Sequence, residues 1–265
     1  MVIGFIGLGN MARALIGGIL KEKAVAPEDI TGSAATAETR RRMEADFGIR
    51  TSESNAQIAA EADILFLAVK PQYLPVVLED IRNAVTERTL IVSVAAGKTT
   101  KWLSEAFPGP VKIVRCMPNT PALVGEGCAA VCRNENVTEE ELGLVLRLIG
   151  SCCGMAELVP EQLMDTAGGV NGSSPAFVFL FIEALADAGV KGGLPRAQSY
   201  RFAAQTVLGA ARLMLESGKT PGELKDMVCS PGGTTIEGVE TLEKNAFRGA
   251  VMQAVGAAIE KSKKL

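Results

Sequence analysis

Apolar positions follow two rhythms along this chain. As far as Pro160, short dense runs alternate with stretches whose apolar residues recur at helical spacing; beyond it only the helical spacing remains. The dense runs are Val2-Ile-Gly-Phe-Ile6, Ile30-Thr-Gly-Ser33, Ala62-Asp-Ile-Leu-Phe-Leu-Ala-Val69, Leu90-Ile-Val-Ser-Val94, Val111–Cys116, Gly127–Cys132 and Met155–Val159. The run 62–69 is apolar on both alternating faces, as in a parallel strand covered on both sides. Between the runs the spacing predicts helices over Met11–Leu20, Ala37–Phe47, Ala56–Ala60 and Glu139–Ile149, with Thr99 or Thr100 capping a further one that carries Trp102 and Leu103. Strand and helix in alternation predict an α/β fold with a mostly parallel sheet.

After Pro160 the pattern predicts helices over 161–166, 175–190, 195–216, 221–227, 234–243 and 246–264, separated by Gly or Pro signals. Pro175, Pro195 and Pro221 fall at helix starts, where a missing N–H does no harm. Ala176-Phe-Val-Phe-Leu-Phe-Ile182 is apolar on every side, so this helix requires enclosure. A bundle this small cannot enclose it alone, which predicts a homodimer. The expected organisation is therefore a Rossmann-like domain over 1–159 and an all-helical dimerisation domain over 160–265.

The first strand runs directly into Gly7-Leu-Gly9-Asn-Met-Ala12, the G-x-G-x-x-A form of the dinucleotide fingerprint. Gly7 permits the tight turn, Gly9 lets backbone approach a pyrophosphate, and Ala12 allows close helix–strand packing. The helix start then offers free N–H groups to phosphate. The end of the second strand offers Ser33, Ala34, Ala35 and Thr36, with Arg40 one helical turn further on and no carboxylate before Glu38. Polar and basic residues there favour NADPH over NADH. Three further strands end in loops at the edge where such sheets bind ligands: Ala68-Val-Lys-Pro71, Ala95-Ala96 and Met117-Pro-Asn119. In the helical half, Gly168-Gly-Val-Asn-Gly-Ser-Ser-Pro175 and Ser230-Pro-Gly-Gly-Thr-Thr235 read as helix openings able to hold an anion.

Composition narrows the chemistry. The 265 residues suffice for two domains, and a net charge of −3 provides no electrostatic footprint for nucleic acid. Arg40-Arg-Arg42 could serve a phosphate, whereas Lys261, Lys263 and Lys264 read as a solvated tail. Six cysteines without a C-x-x-C pair, in a chain lacking histidine, read as reduced core residues and not as a metal site. The missing histidine also closes the usual acid/base route of hydroxy-acid dehydrogenases and serine hydrolases. The charge-free stretch 167–182 is broken by Gly, Asn, Ser and Pro and falls short of the ~17–25 apolar residues of a membrane span. With a nucleotide motif where a signal peptide would begin, a soluble cytoplasmic protein is expected.

The chain resembles the pyrroline-5-carboxylate reductases over its whole length. The stretches that carry this are Gly4–Ala12, Ala68-Val-Lys-Pro-Gln72, Ala95-Ala-Gly97, Arg115-Cys-Met-Pro-Asn-Thr-Pro121, Leu185–Lys191, Gly193-Leu-Pro195, Leu224-Lys-Asp226 and, most specific, Val228-Cys-Ser-Pro-Gly-Gly-Thr-Thr235 through Glu243. The resemblance implies NAD(P)H-dependent reduction of 1-pyrroline-5-carboxylate to L-proline, the last step of proline synthesis, by a homodimer that in some members builds a decamer. It implies cofactor contacts at Gly7, Leu8, Gly9, Asn10, Met11, Ala12, Ser33, Ala34, Asn55, Ala68, Val69, Lys70, Pro71, Ala95, Ala96 and Asn119. Substrate contacts would fall at Glu161, Ser230, Gly233, Thr234 and Thr235, with the Thr235 hydroxyl facing the ring nitrogen as the catalytic group. The family usually reads S-G-S-G-P where this chain has Asn171-Gly-Ser-Ser-Pro175, and asparagine where it has Met227. Reducing an imine that is already protonated in solution needs no strong acid, which suits a site without histidine. Rival readings are a β-hydroxyacid dehydrogenase or related imine reductase and a non-catalytic NAD(P)-binding sensor. The catalytic lysine of the former has no counterpart, since 169–182 contains no lysine.

Overall fold

The computed structural model describes residues 1–264. It divides into two bodies, one comprising Met1–Ser173 with the chain's end from Ala258, the other Ser174–Ala257.

In the first body the dense apolar runs become strands and the amphipathic stretches become the helices that cover them. The elements are β1 (Ile3–Ile6), α1 (Asn10–Lys21), β2 (Ile30–Ser33), α2 (Ala37–Phe47), β3 (Arg50–Ser52), α3 (Asn55–Glu61), β4 (Ile64–Leu67), α4 (Leu74–Ile81), β5 (Leu90–Ser93), α5 (Thr100–Ser104), β6 (Lys112–Met117), β7 (Gly127–Arg133), α6 (Glu139–Gly150), β8 (Cys153–Leu158) and α7 (Met164–Gly168). The strand order is β3-β2-β1-β4-β5-β6-β7-β8. Strands β1 to β6 are parallel; β7 runs antiparallel to β6, and β8 parallel to β7. Strand order reverses at β1/β4, the switch point at which open α/β sheets bind ligands. Register brings Ile6, Ser33, Leu67 and Ser93 level, so the loops after β1, β2, β4 and β5 emerge along one edge.

One apolar layer joins α1, α2 and α6 to Ile3, Phe5, Phe66 and Val114; the other joins α3, α4 and α5 to Ile6, Leu65, Leu67 and Ile113. Phe5 stacks on Phe66 with centroids 4.8 Å apart. Helix starts are fixed locally: Thr36, Ser54 and Thr99 cap α2, α3 and α5, and Thr138 with Glu141 forms a capping box on α6. Thr99 rather than Thr100 is thus the cap, which frees the Thr100 side chain for another partner.

Four features depart from the sequence pattern. Helix α4 lies between β4 and β5, where the elements expected from the sequence include no helix. Strand β3 has three residues and little apolar content, so periodicity passes over it. The first body extends to Ser173, past the point where the strand–helix alternation ends. Met164 and Ala167 pack with Met117, Ala130, Cys132 and Val159, which holds this segment to the sheet. Finally, Gly168–Pro175 is not a helix opening. Gly169–Ser173 forms a π-helical turn between α7 and α8 (Ser174–Lys191), and the helical turns run on from Glu161 to Lys191. Its N–H groups face carbonyls of the preceding turns, so the expected anion site is lost here.

The second body holds most of α8, then α9 (Arg196–Ser217), α10 (Pro221–Val228), α11 (Thr234–Lys244) and part of α12 (Phe247–Ser262). Its internal cover is sparse: Ala186, Ser199 and Ala203 are buried, while Phe179 is 62% and Leu180 65% exposed. A groove of about 570 Å³ lies among Phe177, Leu180, Phe181, Leu242, Phe247 and Val251. The helix Glu161–Lys191, with mean hydropathy 1.4 in its most apolar window, is long and apolar enough to cross a membrane by length and composition. The interruptions noted in the sequence do not break it as a helix.

Candidate active site

The first strand delivers the glycine loop to the switch point. Gly7 has φ +92°, and a Cβ there would lie 2.7 Å from the Ala68 carbonyl oxygen, so only glycine fits between β1 and β4. Its N–H donates to the Ser33 carbonyl at 3.0 Å. A Cβ on Gly9 would meet nothing within 4 Å; it would project into the open space above the loop. Gly9 is the N-cap of α1 and no side chain caps the helix, which leaves the N–H groups of Asn10, Met11 and Ala12 for an anion. Leu8 and Ala12 are buried and anchor the loop from below. This cradle fits a dinucleotide pyrophosphate.

Beside it, the buried Ser33 hydroxyl donates to Asn55 Oδ1 at 2.7 Å, and Asn55 Nδ2 donates to Asp80 at 3.1 Å. Arg40 donates to the Ala34 carbonyl at 2.7 Å and pairs with Glu53. No apolar rhythm marks Glu53, which follows β3; the local signal beside it is the Ser54 N-cap of α3. On the other side of the switch point Ala68 and Val69 are half-buried, Lys70 is exposed, and Pro71 begins a single 3-10 turn. Ala95 is buried and Ala96 half-buried. The Lys98 ammonium lies 4.9 Å from the centroid of the Trp102 ring.

Glu161 has partners in its own body. Its Oε1 accepts the Thr100 N–H at 2.6 Å and Arg115 at 3.1 Å, and its Oε2 accepts the Thr100 hydroxyl at 2.8 Å. Burial pushes the carboxyl upward, but the Thr100 donors and the Arg115 guanidinium outweigh it and hold Glu161 below the usual carboxylate range. Arg115 is 4% exposed. This carboxylate therefore ties the loop after β5 to β6 and to the start of the following helix. Asn119 is similarly engaged: Oδ1 accepts the Cys128 N–H at 2.9 Å and Nδ2 donates to the Asn171 carbonyl at 3.0 Å. Asn171, where the family pattern differs, donates to the carbonyls of Met117 and Cys128.

In the second body, α11 begins as the sequence predicts. Gly232 has φ +69°, and the Gly233 N–H donates to the Ser230 carbonyl at 3.0 Å. A Cβ on Gly233 would collide with Ser230 Oγ. No side chain caps the helix, and Ser230, Thr234 and Thr235 are exposed. Backbone N–H groups of Thr234 and Thr235 and two exposed threonine side chains therefore lie at an open helix start.

Among the described residues, no group of three or more His, Cys, Asp or Glu is placed to hold a metal. Cys116, Cys132, Cys152 and Cys153 are buried, and burial pushes the Cys132 thiol up to about 11 despite the nearby Arg115.

Comparison with known proteins finds two families along the chain. Residues 161–265 match the family described as Pyrroline-5-carboxylate reductase dimerisation, and residues 2–97 match NADP oxidoreductase coenzyme F420-dependent. The pyrroline-5-carboxylate reductase of Escherichia coli (strain K12) is 48% identical over 263 residues, covering 99% of this chain and 97% of that protein. The chain belongs to the pyrroline-5-carboxylate reductase family. The reductase of Methanosarcina acetivorans is 46% identical over 99% of this chain and 97% of its own. Among solved structures, the Plasmodium falciparum pyrroline carboxylate reductase with NADP bound superposes with TM-score 0.90 at 37% identity, covering 100% of this chain and 97% of that one. The Coxiella burnetii enzyme gives 0.91 at 32%, covering 99% and 97%. Prephenate dehydrogenase of Aquifex aeolicus, at 15% identity and TM-score 0.55, shares the fold alone. The match over 2–97 covers the glycine motif, and the dimerisation match covers the S-P-G-G-T-T stretch.

Proposed function

We propose that this chain reduces 1-pyrroline-5-carboxylate to L-proline with NAD(P)H, in the cytoplasm, as a homodimer. The observation that carries the reading is the uncapped, exposed start of α11 at Gly233-Thr234-Thr235, in a chain whose other body holds an open glycine cradle at a sheet switch point. Bound NAD(P)H supplies the hydride. The residues for it are the loop Gly7–Ala12, Ser33 and Ala34 beside the ribose, and the strand-end backbone at Ala68–Pro71 and Ala95–Ala96. Asn55 and Asn119 act through the hydrogen bonds that hold Ser33 and the loop after β6.

The free N–H groups of Thr234 and Thr235, beside the Gly233 backbone and Ser230, take the substrate carboxylate; the Gly233 N–H is held by the Ser230 carbonyl. The Thr235 hydroxyl orients the ring nitrogen, whose proton the imine already carries. Catalysis is then mainly positioning, and a histidine-free site suffices. Glu161 contributes by holding Thr100 and Arg115. Arg40 at the β2 edge favours NADPH.

The exposed apolar face of α8 and the groove beside α11 and α12 are covered by a second copy, consistent with the dimerisation match over 161–265. Whether such dimers build a decamer is read by light scattering.

The test is the decrease in NADPH absorbance with pyrroline carboxylate and chromatographic detection of proline. Thr235→Ala is expected to lower kcat/KM by roughly one to two orders of magnitude, the worth of one hydrogen bond that orients a charged group. Absence of proline in the wild type refutes the activity, and unchanged kinetics in the variant remove Thr235 from the mechanism.

A further inference from the structure

The β2 edge contains a conflict that the glycine motif does not resolve. Arg40 is the cation held where the second strand ends, donating to the Ala34 carbonyl at 2.7 Å and paired with Glu53. Its side chain is only 12% exposed, whereas that of Glu53 is 82% exposed. Ser52 lies level with Ser33 across the β2–β3 pair, so Glu53 and Ala34 leave the sheet side by side. The adenosine ribose of a dinucleotide binds at this edge. The Ser33 hydroxyl already donates to Asn55, and Asn55 to Asp80, which makes Arg40 the strong donor available to an anion there. A 2′-phosphate calls for such a fork, and a free 2′-hydroxyl calls for a carboxylate. In this chain the fork and the carboxylate are bonded to each other.

We propose that Glu53 is a specificity-determining residue, competing with the 2′-phosphate of NADP for the Arg40 guanidinium. The inference rests on the dinucleotide-binding reading above. A ribose phosphate carries more charge than a carboxylate and meets the guanidinium with two oxygens, so it displaces the exposed Glu53 into water. NAD has nothing with which to displace it, and its 2′-hydroxyl donates to the carboxylate where it stands. Glu53 therefore weakens the phosphorylated cofactor, supports the other, and draws the two affinities together. The short strand β3 achieves this by bringing a residue 13 positions beyond Arg40 to the same edge.

The test is calorimetric titration of the full-length protein with 2′,5′-ADP and with 5′-AMP, which differ only in the 2′-phosphate. Glu53→Gln is expected to bind 2′,5′-ADP about three- to fivefold more tightly, the upper range of what an exposed ion pair holds, and 5′-AMP no more tightly than the wild type does. The gain should shrink as salt is raised. Arg40→Met is expected to bind the two fragments alike. Unchanged 2′,5′-ADP binding in Glu53→Gln, or an equal gain for both fragments, overturns the proposal. No turnover is involved. A protein that forms no proline loses the reductase reading and leaves this result standing; proline formation with unchanged fragment binding removes only the role of Glu53.

Discussion

Glu161→Ala is the substitution with the most to say about how the first body holds its ligand edge. In the structure one carboxylate serves three donors: the Thr100 N–H at 2.6 Å, the Thr100 hydroxyl at 2.8 Å and the Arg115 guanidinium at 3.1 Å. Its removal leaves Arg115, 4% exposed, without its counter-charge. Breaking a fully buried pair costs about 3–5 kcal/mol. The Glu161 side chain is 32% exposed, so water reaches the site and this part falls to about 2 kcal/mol. Thr100 is itself buried, and its stranded N–H and hydroxyl add about 1 kcal/mol. The expected loss is therefore about 3 kcal/mol for Ala, and about 1–2 kcal/mol for Gln, which keeps an acceptor for Thr100 but no charge. Urea unfolding of both variants followed by circular dichroism, at one fixed protomer concentration because dimers gain stability with concentration, measures it. Acid titration supplies an independent sign. The folded carboxyl is held below its ordinary range, so its stabilisation is present above the unfolded glutamate value of about 4.3 and is lost as pH falls through the lower folded value. The gap between wild type and Glu161→Gln should thus narrow on acidification below that value. Losses under about 0.5 kcal/mol in both variants, or a gap that widens in acid, would refute the reasoning.

Two glycines of the nucleotide loop should fail in different ways. Gly7→Ala combines positive φ with a Cβ 2.7 Å from the Ala68 carbonyl, and is expected to cost about 3 kcal/mol of stability as read by urea midpoint. Gly9→Ala meets open space in the protein, so stability should stay within about 0.5 kcal/mol while dinucleotide affinity, measured by calorimetry, falls at least tenfold. If the Gly9 variant keeps its affinity, the cradle is misassigned. Among the six cysteines, Cys128 and Cys229 are half-buried and the other four buried, so an aromatic disulfide reagent should label at most two thiols quickly in the native protein and six in denaturant. Rapid labelling of a third would show that the β6–β8 region opens.

The local sequence determined most of the scaffold because the relevant signals lie within a few residues of one another. Four-residue apolar runs specify buried strands, Thr36, Thr99 and Thr138 fix helix starts, and Gly7 and Gly9 announce a nucleotide turn wherever strand and helix flank them. The start of α11 at Gly233-Thr234-Thr235 was equally legible, since a glycine pair whose first member takes positive φ, followed by an uncapped helix start, is a local arrangement. What tertiary structure alone decided are pairings between residues distant in sequence. Strand β3 has no apolar rhythm and exists because Thr51 and Ser52 find β2, and with it Glu53 reaches Arg40. Glu161 meets Thr100 and Arg115 across 61 and 46 residues. Gly168–Pro175 carries the composition of a turn, yet Asn171, bonded to two carbonyls of the sheet, accompanies a π turn inside a continuing helix. Periodicity records which face of an element is apolar; it carries no record of which polar group the folded chain will bring within 3 Å of another.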